Sequence, residues 1–470
     1  MLFGSLILVL VASLLLLLAK PFAERPTLAA AIALGAAAIA MMLFASSFSQ
    51  EATLLGMLSS GHLSSLGSAL MVMIAALTIL GMMANPYKYQ SGLSEVYAFV
   101  LYTALGGVLM LSANNVLLFY VGLELSSYST YILVSYYRQH KLSIEAGAKY
   151  FVLGALSSAI LLYGISLLFA ATGGIYYSDI STAIQNTSPV LLYGSMALLL
   201  VGFAFKLALA PFHAWTPDAY QGAPTLVAAL LSVGPKVAVV IVLGKFMQLF
   251  SDDSFLLWQQ ALMVLAILSM TIGNFQALNQ KNLKRLLGYS SIAQLGTLII
   301  GLASGNMQGF AAVLVYAIAY SISNIGAFSS IAALRDSGLK ANIEAYRGLG
   351  QRQPFAALAL TIFLLSLAGM PLLAGFAAKL FVFKSAVDAG LILLAFIAIA
   401  NTVLSYFYYF RVIIAIWLDQ PEDRAEDMVL GLKLHPIALS ALSVMAMVVV
   451  VLGLWPNALL GFVEKALGGF

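Results

Sequence analysis

Cysteine is absent from the 470 residues, which excludes disulfides, thiolate zinc sites and iron-sulfur clusters held by this chain. Any redox chemistry linked to it must therefore belong to partners. Charge is also scarce: Asp, Glu, Lys and Arg make up 9% of the sequence, against about 25% in soluble domains. The 22 Lys and Arg raise the pI to about 9.0, yet they lie scattered between apolar runs, a pattern of membrane topology rather than of nucleic-acid binding. Histidine occurs four times, at 62, 140, 213 and 435, and no two are spaced as metal ligands. His62, His140 and His435 fall in expected loops, and Asp252-Asp253 reads as a helix start rather than a cation site.

What is abundant is apolar sequence, at 62% of residues with a mean hydropathy of +1.00. This composition predicts an all-α polytopic membrane protein. A span needs about 20 residues, so the chain has room for roughly fourteen helices and none for a separate catalytic domain. Apolar runs place them at 2–19, 28–48, 66–85, 95–112, 115–137, 146–171, 189–210, 223–248, 255–277, 284–303, 308–334, 355–386, 390–418 and 437–457. The first run has no basic leader and no small-residue cleavage site, and reads as an uncleaved helix.

Basic residues accumulate in every second loop. They are Lys20 and Arg25; Lys88; Arg138 and Lys141; Lys281, Lys284 and Arg285; Arg335, Lys340, Arg347 and Arg352; and Arg424 and Lys433. The loops between carry none at 49–65, 172–188 and 251–254. Because cytoplasmic loops collect Lys and Arg, both termini are expected on the non-cytoplasmic side.

Two spans contain helix breakers. In the seventh, Lys206 precedes Ala210-Pro211-Phe212-His213, and in the twelfth Gly369-Met370-Pro371 precedes Gly375 and Lys379. Proline removes a backbone hydrogen bond, a loss tolerated at membrane depth only where protein or water re-satisfies the freed groups. The two broken spans are five apart, so they run in opposite directions, as in an inverted repeat. The strings Gly-Phe-Ala-Phe-Lys206-Leu and Gly-Phe-Ala-Ala-Lys379-Leu, 173 positions apart, point the same way, although Gly, Ala and Phe are common enough here for coincidence. The expected organisation is a three-helix segment at 1–94, five-helix repeats at 95–248 (helices 4–8) and 249–418 (helices 9–13), and a loop with a C-terminal helix at 419–470.

Five ionisable residues lie inside these apolar stretches: Glu124, Lys149, Lys206, Lys236 and Lys379. Placing a charge at the bilayer centre costs from about 2.5 to more than 10 kcal/mol, so such groups normally face a polar interior where they have a function. Each also has a plainer reading. Lys149 follows Glu145 by four residues, as a surface pair with a snorkelling lysine would. Glu124 could serve as a fixed ion-pair partner. Lys206 and Lys236 have apolar flanks too long for snorkelling, whereas Lys245, Lys384 and Arg411 lie near span ends. His213, just past the break, suits either a proton shuttle or a cap on the broken helix. Ser232, Thr225, Tyr289, Ser290, Ser291, Gln294, Tyr320, Ser323 and Asn324 could hold connecting waters, though tying helices together is the commoner use of such residues.

Four strings carry a family resemblance. They are Gly122-Leu-Glu-Leu-Ser-Ser-Tyr-Ser-Thr-Tyr131, Ser143-Ile-Glu-Ala-Gly-Ala-Lys-Tyr-Phe-Val-Leu-Gly-Ala155, Gly202-Phe-Ala-Phe-Lys-Leu-Ala-Leu-Ala-Pro-Phe-His-Ala-Trp-Thr-Pro-Asp218 with Gln221-Gly-Ala-Pro224, and Gly369-Met-Pro-Leu-Leu-Ala-Gly-Phe-Ala-Ala-Lys379. With them the chain resembles the antiporter-like membrane subunits of respiratory complex I. It is most similar to the subunit N branch: subunit M has glutamate where Lys379 stands, and subunit L is longer, with a lateral helix. The resemblance implies a proton relay of Glu124, Lys149, Lys206, Lys236 and Lys379 with His213, in a bacterial inner membrane beside antiporter-like and quinone-module subunits. It implies no cofactor in this chain, with FMN, iron-sulfur clusters and quinone in partner subunits. Multi-subunit sodium/proton antiporters, membrane-bound hydrogenases and photosynthetic complexes use the same subunit type.

In such a relay, burial disfavours the charged form of a lysine, while a carboxylate within about 4–6 Å favours it. A Glu124 that swung between Lys149 and Lys206 would therefore switch protons. Lys236, after Gly234-Pro235 in the eighth span, would be the central relay and Lys379 its far end.

Overall fold

Each apolar run long enough to cross a bilayer forms one helix, except the twelfth, which is divided into two, and the polar punctuation sets the ends. The computed structural model describes residues 2–18, 25–46, 52–84, 93–137, 139–184, 188–250, 252–336, 339–420 and 434–468. Lys20, Lys88, Arg138, Arg424 and Lys433 lie outside them. The helices of eight residues or more are α1 (Leu2–Leu18), α2 (Pro26–Ser46), α3 (His62–Met83), α4 (Leu93–Ser112), α5 (Val116–Val134), α6 (Lys141–Thr172) and α7 (Pro189–Lys206). There follow α8 (Trp215–Gly222), α9 (Thr225–Met247), α10 (Asp252–Leu278), α11 (Leu283–Ala303) and α12 (Met307–Asp336). The last are α13 (Pro354–Ala368), α14 (Ala374–Asp388), α15 (Ile392–Trp417), α16 (Pro436–Leu454) and α17 (Pro456–Leu467). Twelve of the described helices are long and apolar enough to span. With α1 and the divided α13–α14 they make the fourteen expected crossings of an all-helical polytopic membrane protein.

Caps and breakers explain the ends. Asn115 and Asn282 each accept a backbone N–H of their helix's first turn, from Leu118 and Arg285, the usual role of an Asn N-cap. Proline opens α2, α7, α13, α16 and α17, where its missing N–H has no intrahelical partner to lose. The divergences from the sequence reading have local causes. The sixth helix starts at Lys141 instead of 146 because its first turn is polar and extends no apolar run. Between α2 and α3 a small antiparallel ribbon pairs Ala52–Leu54 with Leu58–Ser60, too short to register as periodicity. The last segment adds α17, whose mixed sequence hides a helix from a search for apolar runs.

Two five-helix sets pack alike. In the first, α4 pairs with α5, α6 packs on both α7 and α8, and α9 returns against α4. In the second, α10 pairs with α11, α12 packs on α13 and α14, and α15 returns against α10. Details recur 167 positions apart. The Asn115 and Asn282 caps are one pair. Another is Gly106 and Gly273, where a Cβ would fall 2.5 Å from Gly122 O and 2.9 Å from Tyr289 O respectively. The carbonyls of Leu111 and Leu278, at the ends of α4 and α10, are a third: Lys245 Nζ donates to the first at 2.6 Å, and Arg411 Nη1, 166 positions after Lys245, to the second at 2.6 Å. These two cations are therefore helix-end caps rather than snorkelling groups.

The 173-residue string match does not follow this register. Lys206 is the last residue of the helix before its break, whereas Lys379 lies inside the helix after its break. The contacts and caps of the two sets recur at 167 positions, and the two strings are offset from that register by six. Under the 167-residue register Glu124 corresponds to Ser291, and Ser127 to Gln294. Helices α9, α11 and α12 are buried over 94% of their apolar windows, so the sets meet along a core these three helices build.

Candidate functional site

Four of the six singled-out residues lie within the bundle interior. Glu124 projects from the middle of α5, with its Oε1 accepting from Ser158 Oγ of α6 at 2.5 Å. Lys206 Nζ, from the end of α7, lies 3.8 Å from the same oxygen. That ammonium donates to Ser127 Oγ at 2.7 Å and Tyr131 OH at 3.4 Å. Ser127 gives its own hydroxyl proton to Leu123 O, so its oxygen lone pair is turned toward the amine. Both ionised groups are nearly closed off, with side-chain exposures of 6% for Lys206 and 14% for Glu124, which makes this an interior pair rather than a surface one.

Lys149 is placed differently. Its side chain is 46% exposed and pairs with Glu145 at 2.7 Å and Asp218 at 2.9 Å. Ser158, which holds Glu124, lies two and a half turns further along α6, about 13 Å away. The structure therefore brings Glu124 together with Lys206 and not with Lys149. A layer of rings leads from Lys206, which faces Tyr131, to Lys236, which faces Trp215. Tyr131 meets Tyr150 edge-on at 4.6 Å, Tyr150 stacks on Trp215 at 4.4 Å, and Trp215 lies 5.6 Å from Phe205.

Lys236 is buried in α9, one residue after Pro235, which removes the amide that would have bonded to Leu231 O. Its Nζ donates to Tyr220 OH at 3.0 Å and Ser291 Oγ at 2.9 Å. It also faces the rings of Tyr220 at 5.4 Å and Trp215 at 5.8 Å, an arrangement that favours a cation. Tyr320 OH donates to Ser291 Oγ at 2.9 Å, and Asn324 Nδ2 to Ser232 Oγ at 2.5 Å. Ser291 thus occupies, in the second set, the position that Glu124 holds in the first, and it too receives a lysine.

One residue along α11, Ser290 Oγ shares a hydrogen bond of 2.5 Å with Tyr409 OH. Gln294 Nε2 donates to Tyr409 OH at 3.1 Å and to Leu367 O at 2.7 Å, while its Oε1 accepts from Tyr316 OH. Lys379 Nζ reaches back across the second break to the same Leu367 O at 2.9 Å and to Ala368 O at 3.0 Å. It caps the end of α13, where exposed carbonyls favour a cation. Gly369 turns the chain there with φ at +90°, and a Cβ on it would lie 3.0 Å from Lys379 Cδ. Glycine is required at that point for both the left-handed turn and the space.

His213 sits half-buried in the first break. Its carbonyl accepts from Thr216 N at the start of α8, while Nδ1 is buried with no hydrogen-bond partner among the described residues. Of the polar residues named from the sequence, Ser232, Ser290, Ser291, Gln294, Tyr320 and Asn324 belong to the clusters around Lys236 and Lys379. Thr225 instead accepts from Arg335, Ser323 bonds Ser366, and Tyr289 lies beside Arg285. Sequence reasoning missed Ser127, Tyr131, Ser158, Tyr220, Tyr316 and Tyr409. Their signal was present as hydroxyls inside spans, but only packing reveals which of them face an amine.

Comparison with known proteins bears on this geometry. The family described as NADH:quinone oxidoreductase/Mrp antiporter transmembrane region matches residues 113–405. Subunit N of NADH-quinone oxidoreductase from Trichlorobacter lovleyi is 42% identical over 381 residues, covering 79% of this chain and 76% of that protein. The subunit N of Halorhodospira halophila is 41% identical over 420 residues, covering 87% and 86%. Among solved structures, a chain of Thermus thermophilus respiratory complex I with bound aureothin superposes with a TM-score of 0.81 at 31% identity, covering 97% of this chain and 98% of that one. On this fold, this helix-break geometry and this similarity over most of its length, the chain belongs to the antiporter-like membrane subunits of NADH-quinone oxidoreductase, in the subunit N family.

Proposed function

We propose that this chain carries protons across the membrane through Glu124, Lys206, Lys236 and Lys379, driven by redox chemistry in the other subunits of a NADH-quinone oxidoreductase. The observation that carries this reading is the buried Glu124–Lys206 pair at 3.8 Å, set in the same interior as two further buried amines that donate to hydroxyls and carbonyls. A carboxylate that approaches a buried amine favours its protonated form, and one that withdraws releases the proton. From Lys236 onward, the hydroxyls of Ser291, Ser290 and Tyr409 lie toward Lys379, while Gln294 and Lys379 both donate to Leu367 O, so transfer over the last step requires water. Between Lys206 and Lys236 the contacts run through Tyr131, Tyr150 and Trp215, so transfer there requires those rings to part and admit water. His213, in the first break, offers an imidazole to such a path.

The basic loops are the cytoplasmic ones in this reading, which puts both termini on the periplasmic side of a bacterial inner membrane. The working division is 1–94, 95–248, 249–418 and 419–470. FMN, iron-sulfur clusters and quinone belong to partner subunits. The second reading, a subunit of a multi-subunit sodium/proton antiporter, is favoured by the shared family description. The subunit N relatives at about 40% identity favour the first. Purifying the native complex separates the two: flavin and iron-sulfur subunits co-purify under the first reading and not under the second. The relay itself is tested by Lys206→Ala and Lys236→Ala in reconstituted vesicles. Loss of translocation with an intact complex supports it, and wild-type pumping refutes it.

A further inference from the structure

Lys149 stands apart from the other amines, and the groups around it converge on one short element. Asp218, on α8, accepts from Lys149 Nζ through Oδ2 at 2.9 Å and from Arg285 Nη1 through Oδ1 at 2.5 Å. Arg285 also donates to Gln221 Oε1 at 3.2 Å, and Lys284 Nζ to Gln221 O at 3.0 Å and Ala223 O at 2.5 Å. Three cations from α6 and α11 thus hold one eight-residue helix. Lys149, Asp218, Gln221 and Arg285 line a surface cleft of about 190 Å³ between α6, α8 and α11.

An isolated helix of this length is not stable in water, where about 12–15 residues are needed even for favourable sequences. The position of α8 is therefore set by these ties and by packing. Two residues beyond Asp218, about 200° around the helix, stands Tyr220, whose hydroxyl takes Lys236 Nζ at 3.0 Å. Trp215, at the start of α8, stacks on Tyr150 and faces the same ammonium. One face of α8 meets the charged cleft, and the other meets Lys236.

We propose that Lys149 and Asp218 are positioning residues: together they latch α8 so that Tyr220 and Trp215 stay seated on Lys236. Lys149 holds the latch as a cation and exchanges no proton with Glu124. This inference rests on Lys236 being a relay amine. It predicts that any cation at 149 serves, including one that keeps its proton, since arginine is protonated under all ordinary conditions.

The test measures protons translocated per NADH oxidised by the native complex in inverted membrane vesicles, normalised to assembled complex. Lys149→Arg retains translocation, whereas Lys149→Met and Asp218→Asn lower it by about two- to five-fold, as the modest strength of partly exposed pairs allows. The Asp218→Asn/Tyr220→Phe double variant falls no further than the worse single one, because both act on the same contact. If Asp218→Asn does not assemble, Lys149→Met with Tyr220→Phe provides the same cycle. Loss on Lys149→Arg equal to that on Lys149→Met overturns the proposal, because a titrating amine is then needed at 149. Multiplying losses in the double variant overturn it as well. Failure of the underlying relay reading is seen separately, as wild-type translocation by Lys236→Met.

Discussion

Replacing Glu124 by Gln keeps the size of the side chain and its contact with Ser158, and removes the negative charge 3.8 Å from Lys206 Nζ. At an effective dielectric constant of about 20, unit charges at that separation interact by about 4 kcal/mol. Moving one charge against 100 mV takes about 2.3 kcal/mol. The carboxylate is thus strong enough to hold a proton on Lys206 against a working membrane potential. Ser127 and Tyr131 remain as acceptors in the variant, and hydrogen bonds to charged groups contribute about 1.5–3 kcal/mol each, so the amine stays seated while the switch is gone. The expected outcome for Glu124→Gln is a complex that assembles, oxidises NADH more slowly, and moves protons through this subunit at least about ten-fold less, since each 1.36 kcal/mol is a factor of ten. The assay follows vesicle acidification and NADH oxidation together. Unchanged turnover and unchanged stoichiometry would show that the pair is a fixed structural bridge, and the switch argument would fail.

Other consequences can be checked in the same vesicles or in detergent. Ser291→Ala and Tyr220→Phe each leave Lys236 one of its two hydroxyl partners, so each lowers translocation in part and the double variant nearly abolishes it; near-normal pumping by the double variant would count against the role given to these hydroxyls. Gln294→Leu removes the donor to Leu367 O and the link to Tyr409, and is expected to slow transfer toward Lys379 without affecting the Glu124 pair, which reconstituted pumping rates would register. Gly106→Ala and Gly273→Ala place a Cβ within 2.5 and 2.8 Å of backbone atoms at equivalent points of the two helix sets. Each should destabilise the protein by about 1–3 kcal/mol in thermal unfolding, whereas Gly35→Ala, with nothing within 4 Å, should not.

The elements that could be read from the residues are those whose cause is local. Apolar runs located all fourteen crossings because a bilayer demands about 20 such residues for each. Pro211 and the Gly369–Pro371 pair marked the broken helices because no regular helix accommodates them. Charges within apolar sequence marked Glu124, Lys206, Lys236 and Lys379, since their burial cost demands a reason. The sixth helix's polar first turn, the ribbon at 52–60 and α17 were not legible, as none of them leaves an apolar run. Lys149 satisfied the same criterion as the buried amines and ended at the surface, because position along a span does not say which way the side chain faces. The matched strings around Lys206 and Lys379 could not give the register for a related reason: small apolar residues recur by composition, whereas the 167-residue spacing shows in caps and close glycine contacts.

The sequence by itself determined the solvent this protein lives in, the number of its crossings, the two breaks, and the set of ionisable groups that must be satisfied inside. These follow from transfer free energies and backbone sterics, which act residue by residue. Only the tertiary structure decided that Glu124 faces Lys206 across 3.8 Å, that Ser291 stands where a second glutamate would be, and that a half-helix of eight residues carries both the Asp218 latch and the tyrosine on Lys236. The physical reason is that proton affinity depends on which groups lie within a few ångströms. In a bundle those neighbours come from helices far apart in the chain.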